Sequence, residues 1–204
     1  MKALLLIDIQ NDFLPGGALA VGEGDQVVPV ANKLISNLPV ELVLATKDWH
    51  PPEHGSFAKQ HGKNPFEMGE LTGLPQLMWP DHCVQETPGA ELAKDLQHQN
   101  INRTFTKGLD TTVDSYSAFY DNAKRNSTGL GEWLKEQGIN ELFILGLATD
   151  YCVKFSVLDA LSLGFKVNVV ADGCRAVDIK GGVQALKEMS AAGANIVTST
   201  DLLG

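Results

Sequence analysis

One stretch limits the fold more than any other. Leu142-Phe143-Ile144-Leu145 is followed by Gly146, a short polar turn, and then Val153, Val157, Leu158 and Leu161 at helical spacing. An apolar run of strand length without polar alternation reads as a strand buried on both faces, the kind found inside a parallel sheet. Thr149 or Asp150 is placed to cap the following helix and Gly164 to stop it. Cys152 then falls in the first helical turn, just past the C-terminal end of that strand. Ligands bind at that edge of open α/β sheets, and a helix N-terminus there favours a thiolate. A small buried cysteine at a strand–helix junction has the same local signature, so its surroundings must decide.

The same alternation runs through the chain. Ala3–Ile9 reads as a first strand, apolar on both faces and therefore central, followed by a polar, glycine-rich loop, Gln10–Gly17. Val27, Val30, Leu34, Ile35 and Leu38 fall at helical spacing, and Pro39 closes that helix. Glu41–Thr46 and Asn102–Thr106 read as strands, Glu91–Gln97 as a short helix and Leu130–Gln137 as a longer one. Lys166–Ala171 is a strand, Asp172–Arg175 a turn, and Asp178 caps a helix carrying Val183, Leu186 and Met189 up to Gly193; Asn195–Thr198 is a last short strand. Strands alternating with helices predict a doubly wound, mostly parallel sheet with helices on both faces, a three-layer α/β/α architecture. With 204 residues and no linker, a single domain spanning 1–204 is expected. Between about 48 and 89 no periodicity stands out; six prolines and four of the five histidines gather there. Such segments in compact domains are usually binding loops or lids.

A formal net charge of −9 argues against nucleic acid or an anionic membrane as partner. No apolar stretch approaches the roughly 20 residues of a membrane span. The opening run Met1–Asp8 is too short for a secretory signal, and three unevenly spaced cysteines make no disulfide framework, so the cytoplasm is expected. No isolated apolar stripe speaks to oligomeric state.

Asp8, the Asp48–His50 pair, Lys107 and Cys152 each lie at or just beyond the C-terminal end of a predicted strand, where they converge on one crevice. Lys107 is placed to favour a thiolate at Cys152, and Asp8 to accept and return a proton. In an extended segment Asp48 and His50 point the same way and can share a cation. A third ligand is wanted; His82 and His54 are candidates, and Cys83 beside His82 is a weaker one. His61 and His98 sit in polar surroundings and read as solvated. Phe13, Trp49, Trp79 and Tyr116 lie in loops, where aromatics can sandwich a flat ring, whereas Trp133 fits a core-facing helical position.

Five motifs now stand in order: Asp8-Ile9-Gln10-Asn11-Asp12-Phe13, Thr46-Lys47-Asp48-Trp49-His50-Pro51, Trp79-Pro80-Asp81-His82-Cys83-Val84, Lys107-Gly108, and Ala148-Thr149-Asp150-Tyr151-Cys152-Val153. Together they resemble the isochorismatase-like cysteine hydrolases, over essentially the whole chain, and within them the bacterial nicotinamidase (pyrazinamidase) branch. The resemblance implies a Cys152–Asp8–Lys107 triad and hydrolysis of a small aromatic amide, nicotinamide, to nicotinate and ammonia in NAD salvage. It implies one divalent metal on Asp48, His50 and His82, with zinc expected and iron or manganese possible, His54 remaining open as a further ligand. Phe13 and Trp79 match positions flanking the substrate ring, Tyr116 one near the pocket. The implied oxyanion hole uses the backbone N–H groups of Ala148 and Cys152, and the peptide before Ala148 is expected to be cis.

Overall fold

The computed structural model describes residues 1–204. In chain order its elements are β1 (Lys2–Ile7), α1 (Val27–Asn37), β2 (Leu42–Asp48), β3 (Met68–Leu71), β4 (Leu74–Leu77), β5 (Arg103–Lys107), α2 (Leu130–Glu136), β6 (Glu141–Leu147), α3 (Lys154–Ser162), β7 (Lys166–Arg175), α4 (Ile179–Ala191), β8 (Asn195–Val197) and α5 (Ser199–Leu203). Six strands form one sheet in the order β5-β2-β1-β6-β7-β8, and every neighbouring pair is parallel. α1 and α5 pack together on one face, α3 and α4 on the other, which is the expected doubly wound arrangement.

The order follows from the apolar runs. β1 and β6 lack polar alternation, sit side by side at the centre, and bury Ala3–Ile7 and Leu142–Leu145 almost completely. Burying each such leucine or isoleucine contributes about 1.5–3 kcal/mol, and truncating one to alanine costs about 2–5 kcal/mol. The chain leaves β1 in one direction, through β2 to β5, and returns to β6 before running the other way through β7 to β8. The order therefore reverses between β1 and β6, and a crevice opens beyond their C-terminal ends. Asp8 follows β1 and Cys152 lies five residues past the end of β6.

Three local expectations are corrected. Residues 91–97 form no helix; short 3₁₀ turns lie at Pro88–Ala90 and His98–Asn100 instead. Leu92, Ala93 and Leu96 are buried as a helical reading requires, but the backbone is committed elsewhere. Ala93 N–H donates to Ile9 C=O at 2.8 Å and Asn11 N–H to Glu91 C=O at 2.9 Å, so pairing with the loop after β1 overrides the local pattern. Residues 172–175 are no turn: β7 runs through them, and Gly146 pairs with Cys174 after a register shift in β6. Gly146 has φ +135°, and a Cβ there would lie 2.0 Å from the Ile7 carbonyl oxygen, so only glycine lets β6 approach β1 this closely. Finally, the segment from 48 to 89 contains a hairpin, β3 with β4, turned by Thr72 and Gly73 at φ +48° and +85°, as a type I′ turn requires. Its four-residue strands are too short, and β4 too interrupted by Pro75, to show as periodicity.

Candidate active site

Asp8 is the first residue past β1, with φ +47°, and it is fully buried. Its Oδ1 accepts a hydrogen bond from Thr46 Oγ1 at 2.6 Å, which aims the other oxygen, Oδ2, at Lys107. Asp48 and Lys107, the last residues of β2 and β5, are register partners across the sheet. Lys107 Nζ lies 2.5 Å from Asp48 Oδ1, 2.8 Å from the Ser115 carbonyl oxygen, 2.9 Å from Asp8 Oδ2 and 3.5 Å from Cys152 Sγ. Lys107 pairs with Asp8 Oδ2 as an ion pair, and a carboxylate oxygen so engaged still has a lone pair to offer. The acceptor atoms of Asp8 and Asp48 and the Cys152 sulfur all lie within 4.8 Å of one another. One ammonium thus sits among two carboxylates and a sulfur, all withdrawn from water.

The electrostatics set the resting protonation. Burial alone would lower the Lys107 pKa, but Asp48 and Asp8 outweigh it and hold the ammonium well above its ordinary value. Burial raises Asp8 above the usual carboxylate range, with Lys107 partly opposing. Cys152 moves against the sequence expectation: burial pushes its thiol well above the ordinary value, Lys107 offsets only part of this, and Asp8 and Asp48 add to it. The first turn at Cys152 is also not α-helical. Thr149–Val153 form a π-helical turn, and α3 begins only at Lys154. Neither Thr149 nor Asp150 caps it; Ala148 occupies that position, and Asp150 instead accepts from Val177 N–H and Asp178 N–H, both at 3.0 Å. The expected cap of α4 does form, Asp178 accepting from Gly181 N–H at 2.6 Å. The Leu147–Ala148 peptide is cis, as expected. The N–H of Ala148 has no backbone or side-chain acceptor, while its carbonyl accepts from Tyr151 and Val153, each at 3.1 Å.

Beside this cluster stands a set of metal-type donors. A parallel bridge between His50 and Val84 lays the end of the Asp48–His50 segment along the His82–Cys83 segment. Asp12 Oδ2 secures the latter by accepting from Cys83 N–H at 2.7 Å. Asp48 Oδ2 lies 3.8 Å from His50 Nε2 and 4.0 Å from His82 Nε2, and one donor atom from each of the three residues lies within 4.8 Å of the others. His50 Nδ1 lies 2.9 Å from the Gly108 carbonyl oxygen, and His82 Nδ1 lies 2.8 Å from that of Pro80. A carbonyl only accepts, so both rings donate from Nδ1 and turn Nε2 toward Asp48. Burial, with His82 and His54 adding, holds His50 well below its ordinary pKa and therefore neutral. One carboxylate with two imidazoles fits a divalent ion with coordination positions left over. His54 Nδ1 bonds Ser56 Oγ at 2.8 Å, and its Nε2 is buried without a hydrogen-bond partner, beside the donor set but not within it. Cys83 lies outside the set too, its thiol raised by burial.

Between the two clusters and solvent lies a narrow cavity, about 390 Å³ when the space open to solvent at its mouth is included. Phe13, Trp79, Tyr116, Tyr151, Leu19, Val21 and Val177 line it, and Cys152, Ala148, Asp48, His82 and Asp114 also face it. Phe13, Trp79 and Tyr116 thus meet as the sequence suggests. Trp49 does not join them; Lys47 Nζ stands 4.1 Å over its ring instead. A larger, open groove of about 1180 Å³ follows β5 but reaches neither Cys152 nor the histidines. Sequence reasoning missed Gln10, Asp114 and Tyr151. Asp114 is a buried carboxylate that accepts from Gln76 Nε2 and from Ser115 N–H, each at 2.8 Å. Its only signal is its place in the polar segment after Lys107, seven residues on.

The Isochorismatase domain family matches residues 2–201. Nicotinamidase of Escherichia coli (strain K12) is 56% identical over 204 residues, covering 98% of this chain and 96% of that one. The structure of a nicotinamidase/pyrazinamidase from Acinetobacter baumanii superposes with TM-score 0.94 at 43% identity, covering 99% and 98% of the two chains. That of Pyrococcus horikoshii pyrazinamidase, in complex with zinc, gives TM-score 0.79 at 35% identity, covering 97% and 98%.

Proposed function

The chain belongs to the isochorismatase family, and we propose that it is a nicotinamidase, hydrolysing nicotinamide to nicotinate and ammonia through a thioester on Cys152. The observation that carries this reading is the position of Lys107 Nζ, within 3.5 Å of Asp8, Asp48 and Cys152 at once. The pyridine ring enters the apolar cavity between Phe13 and Trp79 with Tyr116 beside it, its amide carbon over Sγ. The buried thiol is protonated at rest, so attack is coupled to transfer of its proton to Asp8, whose free lone pair and raised basicity suit it as acceptor. Lys107 balances the charge left on sulfur. As the C–S bond forms, the amide oxygen takes the electron pair and meets the N–H groups of Ala148 and Cys152, a donor of this kind contributing about 2.7–4 kcal/mol. Asp8 then gives its proton to the departing nitrogen, and ammonia leaves. Water, deprotonated by Asp8, attacks the thioester, and nicotinate departs as Cys152 recovers its proton.

Asp48, His50 and His82 would hold a divalent ion, zinc in this proposal, iron and manganese being compatible with the same ligands. When bound, it supplies a Lewis-acid anchor for a ring nitrogen. Three free, buried thiols suit the reducing cytoplasm, where salvage of pyridine nucleotides would use this reaction; no helix is long and apolar enough to cross a membrane.

The test is ammonia release from a panel of amides including nicotinamide and pyrazinamide, with and without chelator. The expected result is turnover of pyridine and pyrazine carboxamides, lost with chelator and restored by zinc. Cys152→Ala should abolish release while the protein still melts cooperatively, and quenching wild type with substrate should leave a nicotinoyl adduct on Cys152. Substantial turnover by Cys152→Ala would refute the thioester route.

A further inference from the structure

We infer that Gln10 is a positioning residue, acting through Asp48 to hold the metal donors and Lys107 in one geometry. The inference rests on the functional reading above. β1 pairs with β2 only as far as Leu6 and Ala45, and the positive φ of Asp8 turns the chain away before it can follow β2 to its end at Asp48. The Gln10 side chain fills the place of the missing strand. Its Oε1 accepts from Asp48 N–H at 2.8 Å, and its Nε2 donates to Asp48 C=O at 2.8 Å and to Ala90 C=O at 2.8 Å. A primary amide offers an acceptor and two donors in one plane, so it pairs with both the N–H and the C=O of Asp48, which face one edge of β2, as a neighbouring strand would. Gln10 is fully buried, and all three bonds are made away from water, where leaving such groups unpaired costs most.

What the clamp holds is a shared residue. Asp48 Oδ1 bonds Lys107, and Oδ2 faces the Nε2 atoms of His50 and His82. On its other edge Asp48 is held by β5, in register with Lys107. With Gln10 removed, one edge of the Asp48 peptide is unpartnered, and a small rotation there moves both oxygens. Both the metal donors and the lysine then shift together. A bond that served folding alone would change stability and leave metal affinity untouched.

The experiment compares wild type, Gln10→Met and Thr128→Val for melting temperature, for affinity toward Zn²⁺ alone in competition with a chromophoric chelator, and for kcat on nicotinamide. Met matches the size of Gln without its hydrogen bonds. Thr128→Val removes a 2.7 Å bond to the Ala118 carbonyl, away from the cavity, and serves as a stability control. Gln10→Met should bind Zn²⁺ about 10–100-fold more weakly, as outer-shell substitutions typically do, and lose kcat in parallel, while Thr128→Val loses only melting temperature. Should Gln10→Met not fold, Gln10→Glu replaces it, keeping the acceptor for Asp48 N–H while setting an oxygen against the two carbonyls. Zn²⁺ affinity and kcat within twofold of wild type would overturn the proposal, as would an equal loss in Thr128→Val. A wild type that neither binds Zn²⁺ nor releases ammonia from nicotinamide would overturn the functional reading, and this inference with it.

Discussion

Replacing Lys107 with Met tests the charge arrangement most directly. Lys107 Nζ is the ammonium between Asp8 Oδ2 at 2.9 Å and Asp48 Oδ1 at 2.5 Å, and it is almost wholly buried. Met fills most of the volume but leaves two carboxylates facing each other out of water. Removing one partner of a buried pair costs about 3–5 kcal/mol. For a chain of this size each kcal/mol moves the melting temperature by about 2–4 °C, so a fall of about 6–20 °C is expected. The pH dependence has a definite sign. Burial raises Asp8 above its ordinary value, and Lys107 is the main influence opposing that rise. Without it the folded pKa climbs further above the unfolded one, so around neutrality the folded state binds more protons. Stability from such a group is complete below the unfolded pKa and is lost as pH rises through the folded pKa. The variant's deficit should therefore be largest near about pH 8 and shrink toward about pH 5. Melting in the presence of chelator at both pH values measures this, and ammonia release should fall by at least about 10². A deficit that is small, or equal at both pH values, would refute the reasoning.

Asp8→Asn keeps the bond from Thr46 but removes the proton acceptor; kcat should fall about 10²–10⁴-fold with KM little changed, and an unaltered kcat would assign the proton elsewhere. Gly146→Ala should destabilise by about 2–6 kcal/mol, from a Cβ driven into the Ile7 carbonyl and a backbone conformation that disfavours it, as read by urea unfolding; a wild-type midpoint would mean that β6 can draw back. Burial pushes the Cys174 thiol up to about 12, and its S–H donates to the Val170 carbonyl. Iodoacetamide should therefore leave Cys174 unmodified in the native protein and reach it only after unfolding, as peptide mapping would show.

Local pattern alone determined a good deal. The unalternating runs in β1 and β6, the 3.6-residue spacing in α1 and the Asp178 cap of α4 are short-range signals, and each element formed within a residue or two of its expected place. The same signals put Asp8, Asp48, Lys107 and Cys152 at strand ends, and the structure brings those ends together. Other features depended on partners far along the chain. Residues 91–97 carry a helical pattern but pair with the loop after β1; Asp150 looks like a cap but binds residues 177 and 178; Gln10 looks like a loop residue but completes a strand. The helix-start position of Cys152 suggested a ready thiolate, yet burial raises its pKa. In each case the deciding term is hydrogen-bond satisfaction or desolvation, and both depend on which segments exclude water from one another. Periodicity reports which face of an element is buried. It does not report what buries it, and that decides where a proton rests and which peptide Gln10 grips.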